Sequence, residues 1–249
     1  MNGGMRLVCL GVGDAFSARW YSSALAVEAE GTWLLVDCPH PIRKILREAG
    51  TTACVPLDLD RVSAVVLTHL HADHASGLED YAFYSHFALK RKAAVLAHPE
   101  VLHDLWDGHL AGTMAPMLDA ELRPFRLGRD DLFDLRELDV ERAVEFGPFA
   151  IECRRTIHPV PTFALRLRAG GRTLAYSADT AYDPGLIEWL SVGDFLIHET
   201  NRGLHTPYER LAALPVDLRD RMRLIHYPDD FDLEDSEIEP LDQGRLYDV

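Results

Sequence analysis

The chain has 249 residues, enough for one large domain or two small ones around a substantial core. It carries 25 Lys and Arg against 40 Asp and Glu, a formal charge of −15, which argues against a broad basic footprint for long RNA or DNA. No apolar stretch is long enough to span a bilayer, so a membrane partner is not expected.

The opening Met1-Asn2-Gly3-Gly4-Met5-Arg6 lacks the basic, apolar and cleavage regions of a secretory signal and runs straight into a strand at Leu7–Val12. Ser23–Val27 and Trp33–Asp37 alternate around Glu28-Ala29-Glu30-Gly31, which predicts a hairpin. Pro41 opens a helix over Pro41–Ala49, with Gly50 just past its end. The apolar run Val62–Thr68 predicts a buried strand, and a helix follows from about Ala75 to Arg91. Its basic end, Lys90-Arg91-Lys92, complements the helix dipole. Ala93–Ala97 is a short strand, with a helix after Pro99.

From Gly108 to Val144 the pattern is irregular, as a lid, a binding loop or a mobile connector would be. Strands return at Phe149–Arg155, Phe163–Arg168 and Thr173–Ala178, the last two joined by the tight turn Ala169-Gly170-Gly171-Arg172. A helix at Pro184–Leu190, a strand at Asp194–His198 and a short helix at Thr206–Ala213 follow. Strands at Arg221–Tyr227 and Arg245–Val249 complete the chain. No Ser- or Gly-rich linker divides it, which predicts a single domain over residues 1–249. Cys9, Cys38, Cys54 and Cys153 form no CxxC pair and read as buried, reduced thiols of a cytoplasmic protein.

The densest chemistry is His69-Leu70-His71-Ala72-Asp73-His74, directly after the apolar run. Imidazole nitrogen and carboxylate oxygen are both zinc donors, and so many within one turn of chain exceeds ordinary surface chemistry. His69 and His71 are two apart on extended chain and point the same way, whereas Asp73 and His74 lie past the turn and can face a second position. Further donors sit at later strand ends: His158, Asp179 and His226. Each has an ordinary structural role open to it, capping a helix or satisfying a carbonyl. Beside the hexapeptide, the metal-ligand reading prevails.

This series, HxHxDH followed by His158, Asp179 and His226, resembles the metallo-β-lactamase superfamily over nearly the whole chain. The resemblance implies an α/β fold, an αββα sandwich of two mixed β-sheets flanked by helices. It implies two divalent metal ions, one on His69, His71 and His158, the other on Asp73, His74 and His226, with Asp179 bridging them. Zinc suits the mixed His and Asp set best, and Mn2+ or Fe2+ would accept it. The segment Thr156-Ile157-His158-Pro159 and the stretch Leu196-Ile197-His198-Glu199-Thr200 look like the ribonuclease Z and cyclic-phosphate phosphodiesterase branch. In that branch a His placed like His205 donates a proton, so the catalytic candidates are Asp73 and His205. The alternative to that role for His205 is an exposed residue at a helix start. Glu199 either orients a ligand imidazole or forms a structural ion pair.

The long tRNA-binding arm of ribonuclease Z has no room between His158 and Asp179, where only a hairpin fits. Asp37-Cys38-Pro39 replaces the familiar Asp-Cys-Gly, and Tyr227-Pro228 replaces the usual residues after the last ligand. Arg19, Trp20 and Tyr21 stand where substrate could be touched, although core packing also accounts for the aromatics. The expected activity is phosphodiester hydrolysis on a small or cyclic phosphate ester by metal-activated water. The alternatives are a lactone, carboxylic ester or thioester hydrolase, and a metal-binding or assembly protein without turnover. Relatives in this branch often pair, which implies a homodimer.

Overall fold

A computed structural model describes residues 4–249. The first sheet begins with β1 (Arg6–Gly11), β2 (Ala24–Ala29) and β3 (Thr32–Val36), paired antiparallel, and continues with β4 (Val62–Val66) and β5 (Ala93–Ala97) parallel to β3. A separate ribbon, β6 (Pro116–Leu118) with β7 (Pro124–Arg126), precedes β8 (Phe133–Glu137), which pairs parallel with β5 at the sheet edge. The second sheet is built from β9 (Val144–Phe146), β10 (Phe149–Arg155), β11 (Phe163–Ala169) and β12 (Arg172–Tyr176), all antiparallel neighbours. To these β13 (Phe195–Glu199) and β14 (Met222–Ile225) add in parallel. Finally β15 (Leu246–Asp248) returns to the first sheet beside β1. The result is the expected αββα sandwich of two mixed sheets.

The inner parallel strands are largely buried and correspondingly apolar, whereas β8 at the sheet edge is mostly exposed. β4 buries Val62, Ala64, Val65 and Val66, and every residue of β13 is buried. The antiparallel β10 alternates instead, with Phe149, Ile151 and Cys153 inward and the residues between them partly exposed. The helix Ile42–Thr52 buries Ile42, Ile45, Leu46 and Ala49 on one face. No helix among the described residues is long and apolar enough to cross a membrane.

Four local expectations are corrected. The first helix runs through Gly50 to Thr52. Gly50 packs rather than terminates, because a β-carbon there would stand 2.6 Å from the Val55 carbonyl. The helix expected over Ala75–Arg91 is broken into Ala72–Ala75, Leu78–Phe83 and a π-turn at Tyr84–Ala88. Gly77 sits at the break, where a β-carbon would lie 2.6 Å from the Pro39 carbonyl. The irregular stretch after Gly108 contains the β6–β7 ribbon and β8, whose mixed polarity hides them. Cys54 is exposed, unlike Cys9, Cys38 and Cys153.

This topology sends the carboxyl ends of β4, β12, β13 and β14 towards one edge of the sandwich, the usual location of ligand sites in parallel sheets. The Phe163 N–H donates to the Thr68 carbonyl at 3.2 Å and so ties the two sheets together there.

Candidate metal centre

The chain leaves β4 through Thr68, which is fully buried. Its N–H donates to Asp37 Oδ1 at 2.8 Å, and its hydroxyl lies 2.9 Å from both Asp37 oxygens. His69 Nδ1 is 2.9 Å from that hydroxyl, and His74 Nδ1 is 2.8 Å from Asp37 Oδ2. The hydroxyl has one proton, and the carboxylate can only accept. The network therefore assigns Nδ1–H to His69, donating to Thr68, and Nδ1–H to His74, donating to Asp37. Both rings then turn a bare Nε2 inward. Asp37 and Thr68 thus orient one ring of each donor group, a role the sequence reading did not anticipate. Asp37 ends an apolar strand just as Asp179 does, and that signal could have found it.

His69 Nε2 lies 3.2 Å from His71 Nδ1, and His158 Nε2 lies 3.0 Å from the same atom. Asp179 Oδ2 stands 3.7 Å from His69 Nε2 and 3.9 Å from His158 Nε2. In the neighbouring group, His74 Nε2 is 3.4 Å from Asp73 Oδ2 and 3.3 Å from Asp179 Oδ1. His226 Nε2 is 3.3 Å from Asp73 Oδ2 and 3.6 Å from Asp179 Oδ2. The structure therefore brings together every residue proposed as a ligand, with Asp179 common to both sets.

These residues fit divalent ions. Donors around a tetrahedral zinc with bonds near 2.0–2.1 Å stand about 3.3 Å apart, close to the spacings here. His74 Nε2 and Asp179 Oδ1 are buried without a hydrogen-bond partner, a costly state that a cation would relieve.

The electrostatics divide the two groups: burial favours the neutral ring at His69 and His158, whereas Asp179 with Asp37 raises His74, and Asp179 with Asp73 raises His226, against their burial. Burial, assisted by neighbouring rings, holds His69 well below the ordinary histidine value and brings His158 down to about 4. Burial alone would raise Asp73 and Asp179. For Asp73 the hydrogen bonds from His226 and His74 outweigh it, and for Asp179 the charges of His74 and His226 do, leaving both ionised.

His205 stands beside this cluster, its ring stacked on His226 at 5.0 Å and 5.7 Å from that of His158. Its Nδ1 is 3.0 Å from Glu199 Oε1, which also accepts from the Thr180 N–H at 2.9 Å. Glu199 thus holds His205 rather than a ligand ring, and steadies the loop carrying Asp179. His198 is buried in β13, its Nδ1 2.7 Å from the Glu199 carbonyl. Arg19 and Tyr21 are engaged elsewhere, with the Asp229 carbonyl and Glu48 respectively. A cavity of about 470 Å3 opens on the centre, lined by Asp14, Phe16, Arg202, Leu204, His205 and His226 among others.

Residues 5–246 match the family model described as Anti-Pycsar protein Apyc1. The chain is 29% identical over 259 residues to the Anti-Pycsar protein Apyc1 of Saccharibacillus brassicae, covering 98% of this chain and 100% of that one. It is 30% identical to that of Bacillus phage BSP38, with 96% of each chain covered. Among solved structures it is similar to the metallo-beta-lactamase fold protein YhfI from Bacillus subtilis, with a TM-score of 0.74 at 20% identity, covering 99% of this chain and 100% of that one. A diphosphatase from the PhnP family gives 0.73 at 15% identity over 98% of both chains. The short form of human tRNase Z gives 0.66 at 18% identity over 97% of this chain and 98% of that one. With the match running through all the donor residues, the chain belongs to the Anti-Pycsar protein Apyc1 family, on a metallo-β-lactamase fold.

Proposed function

We propose that the chain is a metal-dependent phosphodiesterase acting on small or cyclic phosphate esters, with two divalent cations, zinc for preference, sharing Asp179. The observation that carries this reading is the convergence of five imidazoles and two carboxylates into two donor groups with one carboxylate in common. Cations so held would acidify a bound water and offset the charge that grows on a phosphoryl oxygen. His69, His71 and His158 form one set, and Asp73, His74 and His226 the other. The contacts of Asp73 fall on Oδ2, which leaves Oδ1 to orient the attacking water or take its proton. His205, its Nδ1–H held by Glu199, offers its other ring nitrogen as proton donor to the departing alkoxide. The segment from His158 to Asp179 holds only the β11–β12 hairpin, which favours a small substrate over tRNA.

Zinc-loaded protein is expected to bind two ions per chain and to hydrolyse bis-p-nitrophenyl phosphate and cyclic nucleotides, with turnover lost in His69→Ala. His205→Ala is expected to lower kcat on a 2′,3′-cyclic nucleotide about 100- to 10,000-fold. The loss should be far smaller with bis-p-nitrophenyl phosphate, whose leaving group departs without a proton. Turnover of lactones but not phosphodiesters, or fewer than two bound ions, overturns this reading.

A further inference from the structure

Two imidazoles of the donor cluster are steadied from behind, through Nδ1: His69 by the Thr68 hydroxyl and His74 by Asp37. His226 has no such support. Its Nδ1 is buried without a hydrogen-bond partner among the described residues, so the aim of its ring comes from the backbone that carries it. Ile225 still pairs in the second sheet, its carbonyl accepting the Thr200 N–H at 3.0 Å. Tyr227 already forms a parallel bridge with Gly13, just beyond β1 of the first sheet. His226 makes the crossing between them at a φ of 61°, which a residue with a β-carbon rarely adopts. Such a conformation persists only where its surroundings hold it.

One side chain does so here. The Asn201 amide donates to the His226 carbonyl at 3.1 Å and to Asp14 Oδ2 at 2.9 Å, and its oxygen accepts the Arg202 N–H at 2.7 Å. Two acceptors at the nitrogen and a donor at the oxygen fix the orientation of the amide. The Asn201 backbone is braced in turn, its N–H donating to the Thr206 carbonyl at 3.1 Å. Asp14 is braced as well, its other oxygen accepting the Phe16 N–H at 2.9 Å. With the carbonyl so held, His226 Nε2 stands 3.3 Å from Asp73 Oδ2 and 3.6 Å from Asp179 Oδ2. Relaxing the residue to right-handed backbone would turn its Cα–Cβ bond, and the ring with it, away from both.

Resting on the two-ion reading above, we propose that Asn201 is the positioning residue for His226. By holding that carbonyl it maintains the left-handed crossing and aims the ring at the ion shared with Asp73 and His74. The ion on His69, His71 and His158 does not depend on it.

Zinc titrations against a chromophoric chelator test this. In Asn201→Asp, which keeps the shape and loses the donor, one of the two ions is expected to bind about 10- to 100-fold more weakly and the other at parent affinity. In a His226→Ala background, adding Asn201→Asp is expected to leave the remaining ion unchanged, since the residue it serves is gone. The swapped pair, Asp14→Asn with Asn201→Asp, restores the contact between the loops but not the donor to the carbonyl, so the weakened ion is not expected to recover. Equal weakening of both ions, a further loss in the His226→Ala background, or recovery in the swapped pair overturns the proposal. Should Asn201→Asp fail to fold, Asn201→Ser removes the same donor and carries the same expectations. A parent protein that binds fewer than two ions sinks the two-ion reading instead. The imidazole NMR signals of the metal-free protein then decide: those of His226 are expected to broaden in Asn201→Asp while those of His69 stay sharp, and equal behaviour overturns the proposal.

Discussion

Asp37 touches neither the cavity nor a proposed ion, yet two rings depend on it. Burial raises its carboxyl, and the adjacent His74 only partly draws it back. His74 itself is pushed down by burial and more than restored by Asp179 and Asp37. Without an ion these carboxylates favour the imidazolium; the acceptor-only Asp37 keeps a proton on Nδ1, and a cation at Nε2 would displace the other. Asp37→Ala would leave that N–H and the Thr68 hydroxyl without their buried acceptor. Zinc affinity is expected to fall about 10- to 100-fold, measured by competition against a chromophoric chelator; an unchanged affinity would show that packing alone orients the rings. The ligand candidates were legible because four donors crowd into one short segment and others end apolar strands. Asp37 carries the same strand-end signal but has no second donor beside it, and a lone acid there reads equally well as a turn residue. Nor does linear order reveal that Asp37, Ala178 and His226 adopt φ of 62°, 51° and 61°. These left-handed values disfavour a β-carbon, and three of the seven such non-glycine residues among those described lie at this site.

At the scale of elements, apolar runs disclosed the buried strands, and the Gly-Gly turn disclosed the β11–β12 hairpin. Gly170 and Gly171 take φ of 58° and 76°, as a two-residue hairpin turn requires. What stayed hidden was β8 and the β6–β7 ribbon, since exposed and mixed-polarity strands leave little periodic signal. The broken second helix was hidden too, because Gly77 answers to the Cys38–Pro39 backbone, a neighbour only in three dimensions. Two glycines separate conformation from packing, since a β-carbon at either Gly171 or Gly112 would meet nothing within 4 Å. Gly171→Ala is expected to destabilise by about 1–2 kcal/mol through its left-handed backbone. Gly112→Ala, in the helix Ala111–Met114, is expected to be neutral or stabilising by about 0.5–1 kcal/mol. Denaturant midpoints measure both, and equal responses would contradict the assigned turn.

Across the whole molecule, the two sheets meet at a cluster of buried, partly unsatisfied polar atoms that a bound cation would reconcile. Ion binding should therefore register as folding stability. At a free zinc concentration a hundredfold above Kd, one ion adds about 2.7 kcal/mol, a rise in Tm of about 5–11 °C for a chain of this size. Calorimetry of chelator-stripped protein with and without added zinc measures this, and coincident transitions would sink the metal reading. The net charge of −15 adds a second expectation, since it repels an anionic ester over distance. Raising salt should increase kcat/KM by screening that repulsion, whereas a fall would indicate local attraction at the cavity mouth.

The direction of the hairpin between His158 and Asp179 has a practical corollary. β12 runs from the Gly170-Gly171 turn towards Asp179 over Arg172–Tyr176. At about 3.3 Å per residue, the bend is separated from the edge that carries the donor residues by roughly 20 Å. A fluorophore or affinity handle attached there would sit on the side away from the donor cluster and leave the cavity unobstructed.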